Sequence, residues 1–410
     1  MRLLHALTLL ISLSAVSHAA DTLTFEEAEK AMLAANPQAV SAALSLDAAG
    51  ARVTSAQAAL RPSFSADASY FRQGAQGIRA YDNYSYGLSG SQPLYTPALP
   101  AAVHTFKAAL WAAQASRDSI ASALRYQLKT SFADILNARE TIKLSEETLK
   151  RRAENLELIR IKYQAGRENK AAVMETEAVL KTAQWQHEKY KLDLRLLERK
   201  LNRLLGRAAQ TPVPGLELPQ PPEPPAEFSE VGPRLESHYA LSSARAALDS
   251  AEASVETAQS AILPSANASA GYLWSGTDWP SSPHSWNLGA TLSFPIFSSG
   301  RLSSGLDAAQ KALSAAAANY RDARDAVYLN AEDAFLSWRE ARSYMDAAKG
   351  TLDASEARAW LVRKQYLAGQ TSYFEWRNVE EQLISDQNQY LAAGLGLIVS
   401  HAAFVQAIGE

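Results

Sequence analysis

The chain is one unit written twice. Ala59-Leu60-Arg61-Pro62-Ser63 recurs as Ala261-Ile262-Leu263-Pro264-Ser265 at an offset of 202, and the same offset carries Asp47 to Asp249, Gln57 to Gln259 and Pro93 to Pro295. Further on, Tyr163-Gln164-Ala165-Gly166 recurs as Tyr366-Leu367-Ala368-Gly369 at an offset of 203, as Gly206 does as Gly409, so one residue enters between the second proline and the tyrosine. A repeat of this length restricts the fold to architectures built from two like halves. Between the halves, Thr211 to Pro225 holds seven prolines, which remove backbone donors and favour an extended, semi-rigid strap. The reading is a first repeat over 21–210, a Pro-rich linker over 211–227 and a second repeat over 228–410. Neither half alone closes a core, so one intertwined domain is expected.

Each copy reads as helix, β-hairpin, very long helix, helix. Phe25 to Ala59 suits a helix with a break or restart at Asn36-Pro37, because the residue before proline avoids the α region. From Ser63 the period becomes two, with Phe64, Ala66, Ala68 and Tyr70 on one face and Ser63, Ser65, Asp67 and Ser69 on the other. Hairpins are expected over 63–95 and 265–296, with strands of about 9 to 11 residues, the length that crosses a hydrocarbon layer when tilted. Their polar face is serine, glycine, asparagine and threonine, which suits a wet lumen. Tyr70, Tyr84, Tyr86, Tyr272, Trp274 and Trp286 suit a lipid-facing aromatic belt at headgroup level.

Backbone polar groups inside hydrocarbon all need partners, so a spanning sheet must close on itself. Four strands per chain cannot do so. Two copies would give eight strands and a filled interior, and three would give twelve and room for water. After Pro93 and Pro295 the helical period returns: Leu128, Ile135, Ile142, Leu149, Leu156 and Tyr163 form a seven-residue seam, with Trp338, Met345, Leu352 and Tyr366 in the equivalent register. A helix from Ala101 to Gln164 would be roughly 95 Å long, far more than a bilayer, and must project away from it. Ala165-Gly166 and Ala368-Gly369 end the long helices, and returning helices are expected from Asn169 to Leu205 and from Ser372 to Ile408.

The compartment is read from the N-terminus. Arg2, the apolar run Leu3 to Val16 and the small-x-small Ser17-His18-Ala19 make residues 1–20 a signal peptide, since the run is shorter than the roughly 20 residues of a spanning helix. No later segment is read as apolar enough to span as a helix. The chain has no cysteine, which excludes disulfides, thiolate metal sites and an N-terminal lipid anchor on cysteine. A net charge of −3 with both signs interspersed excludes a nucleic-acid partner. His104, His187, His238, His284 and His401 lie far apart, and no phosphate loop or nucleophile elbow is present, so no catalytic, cofactor or metal site is expected.

The doubled element order, the helix-to-strand prolines and the paired Tyr-x-Ala-Gly turns together resemble the TolC-like outer-membrane efflux protein family over essentially the whole mature chain. The resemblance implies a mainly α fold with a transmembrane β portion: a homotrimer with a twelve-stranded barrel continuous with an α-helical periplasmic tunnel, set in outer-membrane lipid of a Gram-negative bacterium. It further implies a periplasmic adaptor (membrane fusion) protein and an inner-membrane pump as partners, in efflux or type I secretion. The turns Tyr163, Ala165, Gly166 and Tyr366, Ala368, Gly369 would form the periplasmic tip. Family members carry acidic residues just beyond the second-copy tip glycine; the matching positions are Glu375 and Asn378, so Glu375 is the candidate pore-ring residue, with Glu175 in the first copy. The rival reading is a non-conducting periplasmic coiled-coil structural protein or adhesin, which predicts a water-soluble rod.

Overall fold

The structure, a computed structural model, describes residues 22–410; the expected signal peptide lies outside the described residues. The first copy opens with β1 (Leu23–Thr24), α1 (Phe25–Ala35) and α2 (Pro37–Ala58). Thr24 and Glu27 close a reciprocal capping box on α1. Asn36 then breaks the helix in extended geometry and caps α2, its side-chain oxygen accepting from the Gln38 amide at 2.8 Å. Next come β2 (Ser63–Ala75), β3 (Ile78–Tyr95), α3 (Ala98–Gln164), α4 (Lys170–Leu204) and the short β4 (Leu216–Glu217).

The second copy repeats this order as α5 (Tyr239–Ser260), β5 (Ser265–Gly276), β6 (His284–Ser293), α6 (Arg301–Leu367) and α7 (Tyr373–Ala407). Its counterpart of α1 is only two 3-10 turns, Phe228–Glu230 and Gly232–Ser237, because Gly232-Pro233 interrupts the stretch. His238 takes the place of Asn36, its Nδ1 accepting from the Ala240 amide at 3.1 Å at the start of α5.

Both long helices have 67 residues and both return helices have 35, so each copy projects an arm about 100 Å long at 1.5 Å per residue. The inserted residue of the second copy falls between strand and long helix. Where Pro97 precedes α3, Ser299 (φ 51) and Gly300 (φ 81) turn the chain into α6.

Two cores are repeat-equivalent. Leu124, Leu128, Phe132, Ile135, Leu201 and Leu205 pack with Met32 in the first copy; Val327, Ala331, Phe335, Trp338, Phe404 and Ile408 occupy the same positions, 203 residues on, in the second. Burying a Phe or Leu side chain contributes about 1.5–3 kcal/mol, so these cores anchor the arms. The proline strap is tied to the first core. Arg139 donates to the Val213 and Pro214 carbonyls at 3.3 and 3.1 Å, and β1 pairs parallel with β4. Its far end meets the second copy through Glu223 and Arg342, 2.5 Å apart.

Two sequence expectations are corrected. Strands of 13, 18 and 12 residues in β2, β3 and β5 exceed the expected length, and only β6, with 10, matches it. The excess of the first hairpin carries Arg72, Gln73, Arg79 and Asp82, residues suited to water beyond an apolar band. Second, α7 does contain a stretch long and apolar enough to cross a membrane by length and composition. Within α7, Leu397 and Phe404 join the second-copy core, while only 22% of the apolar stretch is buried inside the single chain.

Candidate functional site: an amphipathic sheet and a latched helical tip

The two hairpins form one antiparallel sheet in the order β2-β3-β5-β6, leaving β2 and β6 as open edges. Cross-strand partners share a face, so the register sorts the residues. On one face stand Ser63 and Ser91, Ser65 and Ser89, Ser69 and Ser85, with hydroxyl pairs at 2.9, 2.7 and 2.6 Å, continued by Ser269, Gly271 and Asn287. On the other stand Phe64, Leu88, Leu288 and Leu292, exposed in the single chain.

All six expected belt residues lie on that apolar face, toward the turn ends of the hairpins. Tyr70 meets Tyr84 with ring centroids 5.0 Å apart, Tyr86 stacks on Trp274 at 5.5 Å, Tyr272 lies 4.5 Å from Trp274, and Trp286 is the register partner of Tyr272. Trp279, which the sequence reading missed because it lies in the β5–β6 loop, joins them 5.2 Å from Tyr86.

At the opposite end, each long helix stops in a Schellman turn. Gly166 (φ 69) donates to Tyr163 O and Arg167 to Lys162 O; Gly369 (φ 75) donates to Tyr366 O and Gln370 to Gln365 O. Ala165 and Ala368 are the residues at which the two helices end. Asn169 and Ser372 then cap α4 and α7 through the Ala172 and Glu375 amides.

The two tips are chemically unequal. Tyr163 is 44% exposed, whereas its repeat partner Tyr366 is 2% exposed. Tyr366 stacks on Trp376 at 4.5 Å, carries the Lys162 ammonium 3.4 Å above its ring, and donates its hydroxyl to Glu168 at 2.9 Å. Lys162 also donates to the Tyr366 carbonyl at 3.0 Å. Burial lowers the Lys162 pKa from the usual ammonium value; burial, and then the Glu168 carboxylate, raise that of the Tyr366 phenol. Ile159 and Ala172 of the first copy pack with Val362, Tyr366, Trp376 and Leu383 of the second in a third cluster that joins the copies.

Around this cluster, polar contacts bridge the two arms. Arg152, itself buried, reaches Glu381 at 2.7 Å; Arg363 meets Glu154 at 3.5 Å; Thr176 meets Tyr373 at 2.9 Å; and Arg377 binds Glu175. The candidate ring residues therefore each carry an arginine. Glu375 faces Arg358 at 3.3 Å within the α6–α7 arm, while the Glu175 pair crosses between arms. Asn378 accepts from Arg377 at 3.1 Å.

The histidines stay apart: His104 on Glu256, His187 on Ser145, His284 beside Tyr272, and His401 accepting from Lys129 against the Trp338 ring. Among the described residues no cluster of three or more His, Asp or Glu side chains is placed to hold a metal.

An open four-stranded sheet with one aromatic and aliphatic face and one serine and glycine face, carried on two paired helical arms, is the architecture of an outer-membrane channel protein. The two halves of the sequence each meet the same family pattern. The chain belongs to the outer membrane efflux protein family, whose model matches residues 30–207 and 234–410. Membership places it in the outer membrane of a Gram-negative envelope. It is similar to the solvent efflux pump outer membrane protein SrpC of Pseudomonas putida, 25% identical over 307 residues, covering 73% of this chain and 64% of that relative's length. Its fold matches that of CusC, with a TM-score of 0.84 at 19% identity over 96% of this chain and 95% of the other. VceC from Vibrio cholerae matches with a TM-score of 0.81 at 18% identity over 94% and 96% of the respective chains.

Proposed function

We propose that three copies of this chain form a passive exit duct: a shared twelve-stranded barrel in the outer membrane, opening into an α-helical tunnel through the periplasm. The observation that carries the reading is the open sheet. Its lipid-suited face and its two unpaired edges cannot coexist in a bilayer unless neighbouring copies close the ring. Apolar residues on the arms support the same assembly. Met174, Trp185, Leu192 and Leu196 line α4, and Leu329, Leu336 and Leu361 line α6, all exposed in the single chain and suited to burial against a neighbouring arm.

The duct performs no chemistry. An inner-membrane pump, coupled through a periplasmic adaptor at the tip turns, supplies the energy, as the efflux-pump context of SrpC supports. The Lys162, Tyr366, Glu168 and Arg377, Glu175 contacts hold the closed packing, and opening moves the α6–α7 arm away from α3–α4. On that movement Glu375 keeps Arg358, which travels with it, whereas Glu175 loses Arg377 and faces the passage as a free carboxylate.

Purified protein in planar lipid bilayers tests the proposal. Discrete cation-preferring conductance is expected, and Glu175→Gln should lower the cation preference more than Glu375→Gln, because the Glu375 carboxylate stays paired with Arg358. A water-soluble rod without bilayer activity would favour the structural or adhesin reading instead.

A further inference from the structure

We infer that β6 of each copy pairs with β2 of the next in the register that β3 keeps with β5 inside one chain, so that Ser293 stands opposite Asp67 of the neighbouring copy. The inference rests on the shared barrel proposed above and specifies how its joints are made.

The two hairpins superimpose in register at the repeat offset of 202. Ser63 faces Ser91 as Ser265 faces Ser293, and Tyr70 faces Tyr84 as Tyr272 faces Trp286. The joint between hairpins inside the chain sets Ser91 against Ser269, Leu88 against Tyr272 and Gly87 against Leu273. Moving the β3 partner forward one repeat and the β5 partner back one repeat yields the outer joint: Ser293 with Asp67, Ala290 with Tyr70, Gly289 with Phe71. Every pair keeps its face. A slip of one residue would invert the faces, but a slip of two would not, so face pattern alone leaves neighbouring registers open.

A size match resolves them. Leu273 and Phe71 are the large apolar residues on the otherwise small polar face of β5 and β2. Leu273 lies across from Gly87, where an added Cβ would sit 3.1 Å from Leu273 Cδ1 and 2.5 Å from the Tyr272 carbonyl oxygen. Glycine is thus required at that joint. Gly289 is its repeat partner, yet inside the chain an added Cβ there would have no atom nearer than Ser269 Oγ at 4.0 Å. The room is left for Phe71 of the neighbour, which is 56% exposed.

Strand ends agree. β3 continues to Tyr95 because Pro93 and Tyr95 pair with Asn267 and Ala266 of β5. β6 stops at Ser293, and its continuation through Phe294, Ile296 and Phe297 is unpaired and exposed. The same register lays Phe294 on Ala66 and Phe297 beside Phe64 of the next copy, extending β6 once that copy is present.

The natural absence of cysteine makes disulfide mapping clean. Opposed antiparallel residues have Cα atoms about 4.5–5.5 Å apart, within disulfide reach, whereas diagonal neighbours lie about 7–8 Å apart, at or beyond it. Full-length protein in outer-membrane preparations would carry Asp67→Cys with Ser293→Cys, or Ala68→Cys with Leu292→Cys; these adjacent pairs sample both kinds of ladder position. Controls are Asp67→Cys with Thr291→Cys and Ser69→Cys with Ser293→Cys. On mild oxidation, an in-register pair should give covalent dimers and trimers at about ten times the yield of either control. A control linking better, or no pair linking while an amine-reactive cross-linker still captures trimers, overturns the register and leaves the shared barrel standing. A protein that stays monomeric with both reagents overturns the shared barrel and the register with it.

Discussion

Removing one oxygen atom at the tip should open the duct. In Tyr366→Phe the ring stays stacked on Trp376 and beneath Lys162, and the carbonyl still accepts from Lys162; only the hydroxyl donation to Glu168 is lost. A net hydrogen bond to a partly solvated carboxylate contributes about 1 kcal/mol. If three subunits open together, the closed packing loses about 3 kcal/mol, a shift of about a hundredfold in the closed-to-open ratio. Tyr163→Phe is the control, because Tyr163 is the repeat-equivalent tyrosine but is exposed. Single-channel recording in planar bilayers reads open probability directly, and influx of a bulky polar dye into cells reads it in the envelope. Open probability should rise for Tyr366→Phe and stay at the parental level for Tyr163→Phe. Equal behaviour of the two variants would refute the latch.

Further outcomes follow from the cores. Phe132→Ala and Phe335→Ala remove repeat-equivalent buried rings and should each destabilise by about 3–5 kcal/mol, with costs within about 1 kcal/mol of one another; chemical denaturation of detergent-solubilised protein measures both. Burial, with the Lys129 ammonium beside it, holds His401 down to about 4 from its ordinary 6.5. The unfolded chain therefore takes up this proton first, so the stability contributed by neutral His401 is complete above about pH 6.5 and lost as pH falls toward 4. With its partial solvent access allowed for, the loss is on the order of 1–2 kcal/mol. His401→Gln should flatten the fall of the unfolding midpoint between pH 7 and 4.5, and an unchanged acid slope would count against the assignment.

Much of the architecture is legible in the residues because it is set by local chemistry. Only glycine enters the left-handed region cheaply, so Tyr-x-Ala-Gly marks where a helix of this reach must stop, and Gly166 and Gly369 do so. Asn36-Pro37 breaks its helix for an equally local reason, and alternation sorts the two faces of the sheet. What the pattern does not reveal depends on neighbours from afar. Tyr163 and Tyr366 have the same motif and opposite burial, because only the second is covered by Trp376 and by Lys162 and Glu168 of the other copy. The partners of Glu375 and Glu175 were equally hidden: Arg358 is 17 residues away in sequence and Arg377 is 202. Strand length was underestimated because water-suited residues at the outer hairpin ends continue the ladder past the apolar band.

The matched 67-residue helices imply a strict rule of reach. Deleting a single residue from α3 alone would pull its turn back by about 1.5 Å and swing it about 100° around the helix axis, while the α6 turn stayed in place. The end of the molecule would then be stepped and misfacing instead of flush. Tolerable length changes in such an arm should come as whole heptads made in both halves at once, and the odd residue of the second half sits at Ser299-Gly300, a joint where it alters neither.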